Sequence, residues 1–307
     1  MQVFNKEMVN IGGVEQFIQV TGNNEENPLL LMLHGGPGAP FSVLMQALPK
    51  EYEENFLVAH WDQRGAGNSY HDNILKETMN IEQIISDASE VVDYLLKKYQ
   101  KDKIFLLGMS WGSAIGVQLA NQIPEKLYAY IGTGQMVDTN KSEIISYDFL
   151  LSEVKKLKNE EAIQDLERIG RPPYKDCNDL IVQRKWFVGL GYGERKINTS
   201  KLYQEYCTSE ELEKIVEGIN FSNELLDFDL IDKFEAKNIL ELKIPIYLIV
   251  GKYDYQTAWE LQESYFNTIK APKKGLVWLE ESGHSTIFEE PKDFVSELIK
   301  IKEEVED

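Results

Sequence analysis

The stretch KIFLLGMSWGSAIGVQLA (residues 103–120) changes pattern in its middle, and the change falls at a serine. Ile104 to Leu107 form a short apolar run of the kind that makes a buried strand, and after Ser110 small and apolar residues recur at helical spacing. Gly108-Met109-Ser110-Trp111-Gly112 therefore stands at a strand-to-helix corner. So sharp a turn holds its central residue in a strained conformation and raises the side chain above the sheet edge. Glycines on both sides remove the β-carbons that would crowd it. The spacing predicts an exposed hydroxyl at Ser110, with the first helical amide, from Trp111, aimed where an oxyanion would form.

A serine is a poor nucleophile until a base takes its proton. The chain has four histidines, His34, His60, His71 and His284, and only His284 comes late enough for the order serine, acid, histidine. It sits in ESGHSTIF, just beyond the last apolar run. The acid is expected at the end of the preceding strand, where LIVGKYDYQT places Asp254. A carboxylate there accepts from one imidazole nitrogen and fixes the tautomer. HGGPG (34–38) ends an earlier strand, and the Gly36 N–H is expected to complete an oxyanion hole with that of Trp111, His34 bracing the loop. WDQRGAGNS (61–69) contains Gly65-Ala66-Gly67 but no third glycine at dinucleotide spacing, so it is not a Rossmann fingerprint. Asp62 and Arg64 are expected to pin the loops around the site.

Around these motifs, PLLLMLHG (28–35), NFLVAHWD (55–62), LYAYIG (127–132), IPIYLIVG (244–251) and GLVWLEE (275–281) repeat the buried-strand type. The first 21 residues read as a strand pair turning at Gly12-Gly13. Ile81, Ile84, Ile85, Ala88, Val91, Val92, Leu95 and Tyr99 trace one helix face, with Asn80 and Gln83 placed for a capping box. Strands alternating with helices imply an α/β fold with a mostly parallel sheet. That alternation lapses between about 137 and 237, where the patterns are helical and acidic. The expected organisation is a core of residues 1–136 and 238–307 with a helical insertion over 137–237. The 307 residues carry 32 basic against 51 acidic side chains, a formal charge of −19 that repels phosphate backbones and anionic lipid and argues against nucleic-acid or membrane partners. No apolar run approaches the roughly 20 residues of a bilayer span, and Met1 to Asn10 carry no signal-peptide core. Two cysteines without zinc spacing fit a reducing cytoplasm.

In order along the chain, HGGPG, DQRGAGNS, GMSWGS, GKYD and SGHS together resemble the α/β-hydrolase superfamily, and more narrowly the proline iminopeptidase (prolyl aminopeptidase) group of serine peptidases. The resemblance covers residues 28–136 and 244–290. It implies Ser110 as nucleophile, Asp254 as orienting acid, His284 as base, Gly36 and Trp111 as oxyanion donors, and a helical cap over the site. In that group cap glutamates hold the substrate's free α-amine, often near a tryptophan–glutamate motif. Glu194, near Trp186, is one candidate here, Trp259-Glu260 is the adjacent pair of that kind, and the other cap acids stay open. The implied activity is that of a cofactor-independent, metal-independent aminopeptidase acting on short peptides. An esterase or amidase on a small acyl substrate shares the same catalytic set. A non-catalytic binding protein on this fold is a third reading.

Overall fold

The computed structural model describes residues 1–174, 177–226 and 228–306. A turn at Gly12-Gly13, with φ of 56° and 82°, joins β1 (Val3–Ile11) to β2 (Val14–Gly22) as an antiparallel hairpin. The apolar runs then become β3 (Leu29–Leu33), β4 (Leu57–Trp61), β5 (Ile104–Met109), β6 (Leu127–Thr133), β7 (Ile246–Gly251) and β8 (Lys274–Leu279). The helices are α1 (Glu51–Asn55), α2 (Ile81–Tyr99), α3 (Trp111–Gln122), α4 (Thr139–Lys156), α5 (Glu160–Ile169), α6 (Cys177–Gly189), α7 (Thr199–Tyr206), α8 (Ser209–Leu225), α9 (Trp259–Thr268), α10 (Thr286–Glu289) and α11 (Pro291–Glu306).

The strands form one eight-stranded sheet in the order β1-β2-β4-β3-β5-β6-β7-β8. From β4 to β8 every neighbouring pair is parallel, and β2 runs antiparallel to both β1 and β4. Every residue of β3 and β5 is buried, as expected of strands covered on both faces. Their side chains alternate between two cores. Leu29, Leu31 and Leu33 pack with the apolar faces of α2 and α3, while Leu30 and Met32 pack with Tyr52 of α1 and with Phe294 and Leu298 of α11.

Between β6 and β7 the chain runs through α4 to α8. Tyr147, Leu150, Val154, Ala162, Leu166 and Phe187 give α4 to α6 a small core of their own, separate from the two on the sheet. α7 and α8 instead send Tyr203 and Ile215 into the core beneath the sheet, and the Tyr203 hydroxyl donates to Pro40 O at 2.9 Å. Among the described residues no helix is long and apolar enough to cross a membrane.

The start of α2 departs from the expected capping box. Asn80 Oδ1 accepts from Gln83 N at 2.8 Å, but Gln83 Nε2 donates along the helix to Asp87 Oδ1, also at 2.8 Å. Asp87 is fully buried and competes for every donor within reach. Its main partner is Arg64, whose Nε and Nη2 form a two-pronged contact at 2.7 and 2.9 Å, while Gln16 Nε2 donates to it at 2.8 Å. Arg64 also donates to Thr78 Oγ1 and Gly12 O. One ion pair thus joins the β1–β2 hairpin, the 61–69 loop and α2.

Removing one partner of such a pair strands the other charge without compensation, at a cost of about 3–5 kcal/mol. Asp87→Ala should lower the free energy of unfolding by that amount in urea titrations. A loss under about 1 kcal/mol would show that Arg64 finds water instead.

Candidate active site

Ser110 occupies the corner between β5 and α3 with φ 52° and ψ −121°, a conformation that L residues rarely adopt. Its amide donates to Thr133 O at 3.0 Å, which ties the corner to the end of β6. The flanking glycines are required by packing. A β-carbon on Gly112 would lie 2.2 Å from Leu33 O, and one on Gly108 would lie 2.6 Å from Gly112 O. Because α3 descends so close to the end of β3, only glycine fits on either side, and the serine takes up the strain.

Asp254 follows β7 and is fully buried. It accepts from Gln256 N and Thr257 N at 3.0 and 2.9 Å, from Thr257 Oγ1 at 2.8 Å, and from Gln262 Nε2 at 3.1 Å. His284, in the loop between β8 and α10, turns Nδ1 toward both carboxylate oxygens at 3.1 and 3.2 Å. Burial opposes the charge on Asp254, but the imidazole and the Thr257 donors outweigh it and hold the carboxyl below its ordinary range. With Nδ1 given to Asp254, Nε2 is the nitrogen left to act as a base. The ring also packs closely on Gly134, where a β-carbon would lie 2.8 Å from His284 Cε1. Gly134 directly follows Thr133, the residue that holds the Ser110 amide, so the β6 end sits between the two motifs. No hydrogen bond joins Ser110 Oγ to His284 among the described residues, as is common in sites without substrate.

His34 braces the neighbouring loop as the sequence suggests. Its Nδ1 donates to Gly35 O at 2.8 Å and its Nε2 accepts from Gln63 N at 3.0 Å, which together require the neutral ring. Gln63 then spans two loops, its Nε2 donating to His34 O at 3.0 Å and its Oε1 accepting from Trp111 Nε1 at 2.9 Å. Asp62 accepts from Asn68 N and Nδ2 at 2.9 and 3.1 Å. Asp62 and Arg64 hold the loops from behind.

A cavity of about 590 Å³ opens at the corner, and its lining includes Gly36, Ser110, Trp111, Thr257, Glu143 and Arg184. Neither Glu194, Trp186 nor the Trp259-Glu260 pair reaches its wall. Glu194 accepts instead from Thr199 N at 2.9 Å, from Thr199 Oγ1, and from Ser285 Oγ at 3.2 Å. Trp186 donates to Asp165 at 2.9 Å. Among the described residues the carboxylates in the cavity wall are Asp138 and Glu143. Asp138 is engaged by Lys141 N at 3.1 Å and Lys237 Nζ at 3.3 Å. Glu143 is paired with Arg184 and accepts from Gln183 Nε2 at 3.1 Å; burial lifts its carboxyl above the ordinary range against the pull of Arg184. A sequence signal for it exists. Thr139, Ser142, Glu143 and Ser146 share one face of α4 at helical spacing, a polar stripe where a core-facing helix would be apolar. Among the described residues no three metal-ligating side chains gather into a group.

Residues 29–168 match the family model described as serine aminopeptidase, S33. The probable aminopeptidase YbaC of Bacillus subtilis is 32% identical over 299 residues, covering 94% of this chain and 93% of that protein. The proline iminopeptidase of Thermoplasma volcanium is 22% identical over 303 residues, covering 96% of this chain and 95% of its own. Among solved structures, the proline iminopeptidase of Mycobacterium smegmatis superposes with a TM-score of 0.73 at 17% identity, covering 98% of each chain. The fold is that of the α/β hydrolases.

Two buried neutral histidines also set the acid limit of the fold. Burial lowers His34 to about 4 and His60, with both ring nitrogens unpartnered, to about 3. An unfolded histidine titrates near 6.5, so below that pH the unfolded chain takes up two protons that the folded chain refuses. Their stabilising contribution is therefore full above about 6.5 and is lost as pH falls through the folded values. Burial raises Asp62 to about 6, which works in the opposite sense with one proton. The net expectation is a fall in unfolding free energy of about 1.4 kcal/mol per pH unit between roughly pH 5.5 and 4. Urea midpoints that stay level or rise over that range would contradict it.

Proposed function

The chain belongs to the serine aminopeptidase S33 family of hydrolases, and on that premise we propose that it releases the N-terminal residue of short peptides through an acyl-enzyme on Ser110. The observation that carries this reading is the strained Ser110 corner opening into a cavity also lined by Thr257, whose hydroxyl lies 3.3 Å from Nδ1 of the Asp254-held His284. In this reading Ser110 Oγ attacks the scissile carbonyl while His284 Nε2 takes its proton. The Gly36 and Trp111 amides receive the developing oxyanion. His284 then gives the proton to the leaving amine, and water attacks the acyl-enzyme by the same route. Asp254 keeps the proton on Nδ1 and stabilises the imidazolium formed on the way. The helices of 137–237 act as the cap that closes the cavity.

Glu143 is the carboxylate we assign to the substrate's free amine. It lines the same cavity as Ser110. Arg184, also in the lining, pairs with the carboxylate and favours its charged form against the burial that disfavours it.

Ser110→Ala should cost about 10⁶ in kcat with the fold intact, and Asp254→Asn about 10⁴ through the wrong tautomer. Assays on aminoacyl-nitroanilides test both, and more than a few per cent of activity in a folded Ser110→Ala would end the assignment.

A carboxylate–ammonium contact contributes about 1.5–3 kcal/mol, or roughly 10- to 150-fold in kcat/KM. Free aminoacyl-nitroanilides should therefore outrun their N-acetyl forms by that factor, and Glu143→Gln should erase the preference. Equal rates on both forms, or cleavage of nitrophenyl esters alone, would favour an esterase.

A further inference from the structure

Glu289 ends α10, the short helix that begins just after the His284 loop, and it is 5% exposed. Its carboxylate is held by backbone amides from two separate segments. Oε1 accepts from Gly283 N and Ser285 N, both at 3.1 Å, the amides on either side of His284. Oε2 accepts from Arg195 N at 2.8 Å and Lys196 N at 3.3 Å, with a longer contact to Gly283 N at 3.2 Å. Arg195 and Lys196 belong to the connection between α6 and α7.

Other contacts join the same two segments. His284 N donates to Gly193 O at 3.2 Å, and Ser285 Oγ donates to Glu194 Oε1 at 3.2 Å. Gly283 packs against Gly193 O, which a β-carbon there would approach to 3.1 Å. The loop that carries His284 therefore leans on the 193–196 segment, and the buried carboxylate of Glu289 lies between them with one oxygen toward each.

We propose that Glu289 is a positioning residue that makes the placement of His284 depend on the docking of residues 193–196. It rests on the reading of His284 as the base. Asp254 holds the ring by Nδ1 and so sets its tautomer, but that contact leaves the backbone of the loop free to shift. Glu289 holds that backbone on both sides of the ring. When the 193–196 segment lifts, Oε2 loses its donors and the carboxylate can turn away from the His284 loop. The docking of the 193–196 segment and the competence of the base are coupled through one side chain.

Glu289→Gln is the decisive variant because it keeps the shape and reverses half the polarity. The carboxamide has one acceptor oxygen, so its NH₂ must face backbone N–H groups on one side or the other. Misplacement by about 1 Å costs on the order of 10²-fold in rate, so kcat should fall about 10- to 100-fold with KM changed by less than about threefold. The pH profile of kcat should move as well, since the surroundings of His284 change. Arg195→Pro removes the 2.8 Å donor from the other side while Arg195→Ala keeps it, so the proline variant should be the slower of the two.

The measurements are steady-state kinetics on aminoacyl-nitroanilides from pH 5 to 9, with active sites counted by fluorophosphonate labelling of Ser110. A folded Glu289→Gln with wild-type kcat and pH profile would overturn the proposal. So would a loss of kcat matched by the loss of titrated sites, which marks a purely structural role. If Glu289→Gln does not fold, equal kcat in the Arg195→Pro and Arg195→Ala variants overturns it instead. Failure of the wild-type Ser110 to label would overturn the nucleophile assignment on its own terms, and the base assignment with it.

Discussion

The close approach of α3 to the end of β3 is the contact on which the rest of the site depends. Gly112 stands against the carbonyls of Leu33 and His34, so the helix starts with no space for a side chain there. The chain must turn from β5 into α3 within one residue, and Ser110 takes a backbone conformation that costs roughly 1–3 kcal/mol. The surrounding packing holds it there. Apolar side chains of α3 lie buried against the sheet, and the Ser110 amide is bonded to Thr133 O. The same approach brings the HGGPG loop beside the serine, with the Gly35 β-carbon position 3.3 Å from Ser110 Cβ.

Loops that emerge from parallel strands have no backbone ladder to hold them, and here buried polar side chains take over that role. Gln63 bonds the His34 loop to Trp111, Arg64 and Asp87 fasten the 61–69 loop to α2, Thr257 and Gln262 hold Asp254, and Glu289 holds both flanks of His284. Each group is largely buried and multiply hydrogen-bonded, which is what makes such contacts rigid as well as specific. The cost appears at the two histidines and at Asp62, where burial works against the charged form.

The helical layer between β6 and β7 is attached in two ways. α4 to α6 pack on one another around Leu150, Leu166 and Phe187, while α7 and α8 share the core under the sheet through Tyr203 and Ile215. The connection between these halves carries residues 193–196, the segment that meets the His284 loop. A movement of α4 to α6 would thus reach the site through that connection. Glu143 and Arg184 lie on α4 and α6, the half with its own core, so they are packed separately from the Ser110 corner.

The positions of Ser110, Asp254 and His284 were legible in the sequence because each follows a strand whose apolar run marks it, and a parallel sheet carries successive strand ends to one edge. Gly108 and Gly112 were legible because a missing side chain next to a polar one signals a tight corner. The α2 cap was legible only in part, since Gln83 turned one turn along its own helix to Asp87, whose burial and pairing with Arg64 come from tertiary packing. Glu194, one candidate among the cap acids, lies off the cavity wall and Glu143, among those left open, lies on it, because which face of a cap helix looks inward is set by how α4 to α6 pack together. Glu289 gave no signal at all, since its importance lies in amides that come from two distant segments. Sequence alone determined the strands and the order of the motifs along the chain, because short-range periodicity and turn chemistry specify those. Tertiary structure decided which of those faces lines the cavity and the tie between residues 193–196 and the His284 loop, because both depend on contacts between residues far apart in the chain.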